Sequence, residues 1–329
     1  MSVNWGILAT GSIAGSFVED LQLHGHKVVA VGSRRFQNAE QFAARFGIDR
    51  AHGSYEALVA DPDVDAIYVA TPHPLHASNA KLALQHGKHV LIEKPFTINA
   101  SEAADLIELA AKRNLVVMEA MWARFLPHMQ RIRGIVASGV LGTIRSIIVD
   151  HTQDITDDPA HRLNSLALGG GALLDLGIYP VSFIWDILGA PDSVTASAVF
   201  KPTGADAQVA AIFRYDNQAI AVAMAGSDSA GRNIATIHGT AGHIEIDAVW
   251  YRPTTFRRYN EAEVVVETYR SDVTGAGMQY EAAELERRVR EGITRDTVLP
   301  PSETLSIMRC MDEIRAQIGL RYPGEVATS

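Results

Sequence analysis

The segment Gly6-Ile7-Leu8-Ala9-Thr10-Gly11-Ser12-Ile13-Ala14 follows a short apolar run and opens a helical pattern, the setting in which a chain cradles a pyrophosphate. Gly11 would let the backbone approach a phosphate, and Ala14 would let the helix pack against a sheet. The helix start adds unfilled N–H groups and a positive dipole end. Ala9 stands where the G-x-G-x-x-G/A pattern has its first glycine, so this segment alone also fits an ordinary tight turn. The end of the second strand says more. It reads Val31-Gly32-Ser33-Arg34-Arg35, with no acid before Glu40. A carboxylate there would bind a ribose 2′-OH and repel a 2′-phosphate. The Ser33 hydroxyl and the Arg34 guanidinium would instead hold a 2′-phosphate by charge-assisted hydrogen bonds. NADP is the expected cofactor, with NAD the weaker fit; the plain alternative is two solvated arginines at a helix start.

A second chemical group follows in Gly87-Lys88-His89-Val90-Leu91-Ile92-Glu93-Lys94-Pro95. Lys94 falls just past a strand, at the carboxyl edge where open α/β sheets bind ligands, and Pro95 biases it towards an extended backbone. Taken by itself, a lone lysine is ordinarily a solvated side chain. His73, His76, His86 and His89 fall across a turn, two helix positions and a strand, without an H-x-x-x-H pair and a third ligand. No metal site is expected.

These groups need a scaffold. At 329 residues, 47% apolar and 20% charged, the chain has ordinary globular composition and room for two domains. A net charge of −9 with scattered basic residues argues against nucleic acid as a partner. The single Cys310 lies in an apolar helical stretch, which fits a buried thiol in a reducing compartment. With no basic leader and no run of about 20 uninterrupted apolar residues, a cytoplasmic location without membrane contact is expected.

Strands at Val3–Leu8, Val28–Gly32, Ala66–Ala70, His89–Ile92 and Val116–Ala120 alternate with helices at Ile13–Leu23, Phe36–Phe46, His76–His86 and Ala100–Arg113. That rhythm predicts a doubly wound parallel sheet, a Rossmann domain, over residues 1–122. Beyond it, strand-like segments follow one another at Ile144–Asp150, Val194–Val199, Val209–Tyr215, Ile220–Ala225, Ile234–His238 and Val264–Tyr269. Helices are expected near Leu126–Ser138, Ala172–Leu188, Tyr280–Glu291 and Glu303–Ile318. Residues 123–329 thus read as an α+β substrate-binding domain with an open, largely antiparallel sheet, and the whole as an α/β protein. An open sheet leaves one face uncovered, and a homodimer or higher homo-oligomer formed through that sheet is the expected remedy.

The Glu93-Lys94-Pro95 segment resembles the glucose–fructose oxidoreductase and inositol dehydrogenase family, over nearly the whole chain. The branch of dimeric dihydrodiol dehydrogenases and NADP-dependent D-xylose dehydrogenases is the most similar. Supporting segments are Val69–His76, Met118–Phe125, the run from Gly169 to Pro180, and Gly275–Glu281. That branch tolerates a small residue at Ala9, and it forms dimers. The resemblance implies Lys94 and Tyr179 as catalytic residues, with Asp175 four residues before Tyr179 and so on the same helix face. Without it, Tyr179 would read as a core tyrosine and Asp175 as a capping or surface carboxylate. Cofactor contacts are implied at Ala9, Thr10, Gly11, Ser12, Ile13, Ser33, Arg34, Thr71, Pro72, His73, His76, Glu93, Lys94, Trp122 and Arg124. Trp122, Phe125 and Trp250 are implied to line the substrate pocket.

The implied reaction is oxidation of a secondary alcohol, or the reverse reduction, on a sugar, polyol or trans-dihydrodiol. It needs a base for the hydroxyl proton while hydride leaves the same carbon. A free tyrosine, with a pKa near ~10, is a poor base at neutral pH, and a lysine ammonium beside it would favour the phenolate. The branch usually carries a Phe-Asp pair shortly before Gly275, whereas this chain has Arg270-Ser271-Asp272-Val273, which favours a small polyol or aldose over an aryl diol. Two other readings stay open: a non-catalytic nucleotide-binding regulator, and an enzyme that cycles its cofactor internally during elimination or epimerisation.

Overall fold

A computed structural model describes residues 3–292 and 298–325. It divides into two compact units, residues 1–125 with 274–308, and 126–273 with 309–329. Residues 123–125 and 274–308, read from the sequence as part of the second domain, therefore cluster with the first unit.

The first unit contains β1 (Asn4–Leu8), α1 (Ser12–Leu23), β2 (Lys27–Gly32), α2 (Phe36–Phe46), β3 (Arg50–His52) and α3 (Tyr55–Val59). It continues with β4 (Ala66–Val69), α4 (His76–Gln85), β5 (His89–Glu93), α5 (Ala100–Arg113) and β6 (Val117–Ala120). The six strands lie in the order β3-β2-β1-β4-β5-β6, every pair parallel. This is the doubly wound topology, and it brings the carboxyl ends of β1, β2, β4 and β5 to one edge. Its central strands are largely apolar because helices cover both faces, so β4 is buried at all four positions.

Local signals set the helix ends. Ser54 caps α3 by accepting from Ala57 N–H at 3.1 Å, and Asn99 caps α5 by accepting from Glu102 N–H at 3.0 Å. Each such cap is worth about 1 kcal/mol. In α2, Ala39, Phe42 and Ala43 face the sheet as their spacing predicts. Phe36, at the matching helical spacing, is 54% exposed, since it opens the helix and rests beside Gly53 instead.

The helix α6 (Pro127–Ala137) and the strand β7 (Ile144–Thr152) begin the second unit. Next come α7 (Ile178–Leu188), β8 (Ser193–Phe200), β9 (Asp206–Arg214), β10 (Ile220–Gly226), β11 (Ala235–Gly239), β12 (Gly242–Ile246), β13 (Phe256–Asn260) and β14 (Val265–Tyr269). The eight strands run in the order β14-β13-β12-β11-β7-β10-β9-β8, antiparallel except for β7 with β10. One face packs on α7. On the other, Ile212, Val222, Ile148 and Thr236 are successive cross-strand partners from β9 to β11. Ile212 and Ile148 there are 46% and 55% exposed.

Leu166–Leu188, among the described residues, is long and apolar enough to cross a bilayer, but 89% of its apolar window is buried within the structure. Its hydrophobicity serves the second unit's core. Two helices close the chain. α8 (Gln279–Glu291) belongs to the first unit, and the division between units falls inside α9 (Pro301–Ile318).

Candidate functional site

In the first unit a cleft opens over the carboxyl edge of the sheet, with Ala9, Thr10, Gly11, Ser33, Arg34 and Pro72 on its walls. Ala9 adopts φ +93°, the left-handed conformation that a glycine would take freely, so the turn keeps the shape of the pattern without its first glycine. A Cβ placed on Gly11 would meet nothing within 4 Å, which leaves that backbone open to a ligand. The start of α1 has no side-chain cap and no acidic residue in its first turn. Its N–H groups are thus available to an anion, and Ser12 and Ile13 form that first turn.

At the end of β2, Ser33 and Arg34 face the same cleft, joined by three neighbours that sequence reasoning passed over: Arg35, Asn38 and Tyr55. Tyr55 lies beside Arg34 on the cleft wall, and the guanidinium charge opposes the rise that burial gives the phenol's pKa. This set of donors fits an adenosine 2′-phosphate: a helix start for the pyrophosphate, then a hydroxyl and a guanidinium one strand away.

At the end of β5, the turn carrying Lys94 is pinned on three sides. Lys94 N–H donates to Glu93 Oε2 at 3.1 Å, and Phe96 N–H donates to Glu119 Oε1 at 3.1 Å. The Pro95 carbonyl lies 2.8 Å from His76 Nδ1, while His76 Nε2 lies 2.8 Å from the Thr71 carbonyl. Burial, with the charge of His73 next, pushes His76 down to about 3, so the ring is neutral and its one N–H donates to only one of these two carbonyls. Thr71 and His76 thus act on the backbone of the site, and His73 is buried beside them. Glu93 also accepts from the Tyr68 hydroxyl. The Lys94–Pro95 peptide is cis.

Glu119 escaped sequence reasoning. Its signal was a charged residue inside the otherwise apolar β6, where only a partnered or neutral acid is tolerated. Burial pushes its carboxyl up to about 7 against the pull of the Phe96 N–H and Arg124. Arg124, expected at the cofactor, is 2% exposed and forms an ion pair with Glu303 at 2.6 Å. Its charge is therefore spent within the protein, holding the start of α9. Trp122 and Phe125, on the same short turn, are buried.

The second unit presents a different constellation. Tyr179 sits one residue into α7, directly after a π-helical turn over Leu173–Gly177. A continuous α-helix from Ala172 was expected. Pro180 explains the difference, since it has no N–H for the Leu176 carbonyl and its ring crowds that turn. The Leu176 carbonyl instead accepts from His151 Nδ1 at 3.2 Å. The His151 ring stands edge-on to Tyr179 at 5.1 Å, and the Tyr251 ring lies 5.1 Å from Tyr179 and 4.0 Å from His151. Gln153 completes the group, with its amide nitrogen 2.8 Å from His151 Nε2 and 3.0 Å from the Tyr251 hydroxyl.

Two expected site residues have defined partners here. Asp175 was placed on the Tyr179 face by α-helical spacing. In the π turn its carboxylate accepts from Arg162 through bonds of 3.1 and 3.2 Å. Trp250 was expected to line the pocket. It is 1% exposed, packed on Phe183, with its indole N–H donating to the Asp150 carbonyl at 2.8 Å. The next residue, Tyr251, faces Tyr179 in its place. Among the described residues no group of His, Cys, Asp or Glu is arranged to hold a metal ion.

Comparison with known proteins places this geometry. Residues 3–121 match an oxidoreductase family with an NAD-binding Rossmann fold, and residues 129–245 match the GFO/IDH/MocA C-terminal domain. The chain belongs to the GFO/IDH/MocA oxidoreductase family. A trans-1,2-dihydrobenzene-1,2-diol dehydrogenase of Xenopus tropicalis is 34% identical over 334 residues, covering 98% of this chain and 100% of the relative. A D-xylose 1-dehydrogenase (NADP(+)) of Hypocrea jecorina is 36% identical over 373 residues, covering 99% and 95%. A 3-ketoreductase from Actinomadura kijaniata, solved with NADP and TDP-benzene, superposes with a TM-score of 0.86 at 26% identity, covering 97% of this chain and 98% of the other. The family seen in Glu93-Lys94-Pro95 and the two-part fold are both borne out.

Proposed function

We propose that this oxidoreductase transfers a hydride between NADP(H) and a secondary alcohol or carbonyl carbon of a sugar, polyol or trans-dihydrodiol. The observation that carries the reading is the cleft in which Ser33 and Arg34 stand opposite the uncapped start of α1, without a carboxylate at the end of β2. The relatives named above, one acting on a diol and one on a pentose with NADP, support it. The nicotinamide, when bound, supplies the hydride acceptor or donor. Lys94 and Tyr179 carry the proton: the lysine polarises the substrate oxygen and favours phenolate, and the phenolate accepts the hydroxyl proton in oxidation while the phenol returns it in reduction. Glu93, Glu119 and His76 hold the Lys94 turn, and His151 and Tyr251 hold the Tyr179 ring. The test is a panel of aldoses, polyols and aryl diols offered with NADP+ and with NAD+, followed by absorbance of the reduced cofactor. Reduction of NADP+ well ahead of NAD+ is expected with at least one class, and reduction of neither with any class would defeat the reading.

The same reading includes a second copy of the chain as partner. The Ile212–Val222–Ile148 row leaves large aliphatic side chains in water, and an isologous contact through this sheet face would bury them twice over. Light scattering at micromolar concentration should give twice the chain mass or more, and a strict monomer would count against it. A cytoplasmic location is consistent with Cys310, whose thiol burial raises to about 12 and so keeps unreactive.

A further inference from the structure

The hydrogen-bond polarity around Tyr179 can be worked out from one fixed end. The Leu176 carbonyl is an acceptor only, so His151 Nδ1, 3.2 Å away, carries the ring proton. His151 Nε2 is then a lone pair. Gln153 must present its NH2 to it, as the 2.8 Å contact has it, because a carbonyl oxygen in that place would set acceptor against acceptor. The second hydrogen of the same amide goes to the Tyr251 oxygen at 3.0 Å. Tyr251 is therefore an acceptor on its inner side and keeps its own proton to donate outward. Burial raises the Tyr251 phenol, which keeps that proton in place at neutral pH. Tyr251 and Gln153 are partly exposed, whereas His151 is buried. The donor thus stands at the accessible side of the group, with its ring 5.1 Å from the Tyr179 ring.

We infer that Tyr251, oriented by Gln153 and His151, is a substrate-positioning residue that donates a hydrogen bond to an oxygen of a polyhydroxylated substrate, so that the site selects an aldose or polyol over an aryl dihydrodiol. The inference rests on the hydride-transfer reading above and adds the substrate class to it. A pocket built to hydrogen-bond a substrate oxygen discriminates against a ligand lacking that oxygen, because the donor is then left unpaired.

The test compares D-xylose, D-glucose and myo-inositol with trans-1,2-dihydrobenzene-1,2-diol as substrates with NADP+. The wild-type protein should favour one of the polyhydroxylated compounds over the diol in kcat/KM. Tyr251→Phe retains the ring against His151 and Tyr179 and removes only the hydroxyl. It should lower kcat/KM for the favoured compound about tenfold, chiefly through KM, and leave the diol within about twofold. Gln153→Leu should shift selectivity in the same direction, because the Tyr251 proton is no longer directed. NADP+ affinity should match wild type in both variants, which separates this role from a general loss of structure. An equal loss on both substrate classes, or no loss, would overturn the inference while leaving the hydride-transfer reading intact. So would a wild-type preference for the diol. Turnover of none of these compounds, with no NADP+ binding, would remove both.

Discussion

Tyr179→Phe should lose about two to four orders of magnitude in turnover while keeping its fold and its NADP+ affinity, the usual cost of removing a general acid–base group. The ring remains to pack against His151 and Tyr251, and only the hydroxyl is gone. Lys94→Ala should be at least as damaging, because it removes both the charge that favours phenolate and a contact to the substrate oxygen. If the two act as a unit, the double variant falls far short of the product of the single losses. Pre-steady-state turnover and cofactor titration for all three variants give that comparison. Near-normal turnover in Tyr179→Phe would move the base elsewhere, with Asp175 or Lys94 itself the next candidates.

The second large effect concerns cofactor choice. Arg34→Ala should weaken NADP+ binding by roughly ten- to a hundredfold, matching the ~1.5–3 kcal/mol of a charge-assisted hydrogen bond, and leave NAD+ nearly untouched. Only NADP+ carries a 2′-phosphate, so the difference between the two cofactors isolates that group from any general disturbance of the cleft. Fluorescence titration with both nucleotides decides it, and equal losses would show that Arg34 serves elsewhere.

How much of this was legible depends on which residues had a period to read. Phe36–Phe46 and Ala100–Arg113 were readable to the residue, because apolar spacing runs their length and the left-handed Gly47 and Asn114 mark their C-terminal ends. The strand β3, three half-buried residues reading Arg-Ala-His, offered no alternation, and α3 is a single capped turn. The strands β12 and β13 hid for another reason: His243, Glu245, Arg257 and Tyr259 give them polar faces that look like loop. At the site, Lys94 and the phosphate turn could be placed because a strand end fixes where they point. Trp250 and Tyr251 could not be told apart, since both lie outside any strand and no periodicity assigns their sides. The Arg162 partner of Asp175, and the π turn that carries it, had no local signal. His151 and Gln153, at the end of β7, come together with Tyr251 only through long-range folding that no local pattern records.

One feature of the first unit bears on how the protein can be made and recombined. Its helix α8 is supplied by residues that follow the whole second sheet in the chain, yet it serves β1 and α1. Asp20 accepts from the N–H groups of Ala276 and Met278 at 3.0 and 2.8 Å, and Glu286 receives the indole N–H of Trp5 at 3.0 Å. A ribosome must therefore deliver nearly three hundred residues before Trp5 and Asp20 meet their partners. A fragment ending after Phe125 would leave a buried carboxylate and an indole N–H without them. The nucleotide half is for this reason not a detachable cassette: a chimera that exchanges it between relatives has to carry two separate stretches of gene.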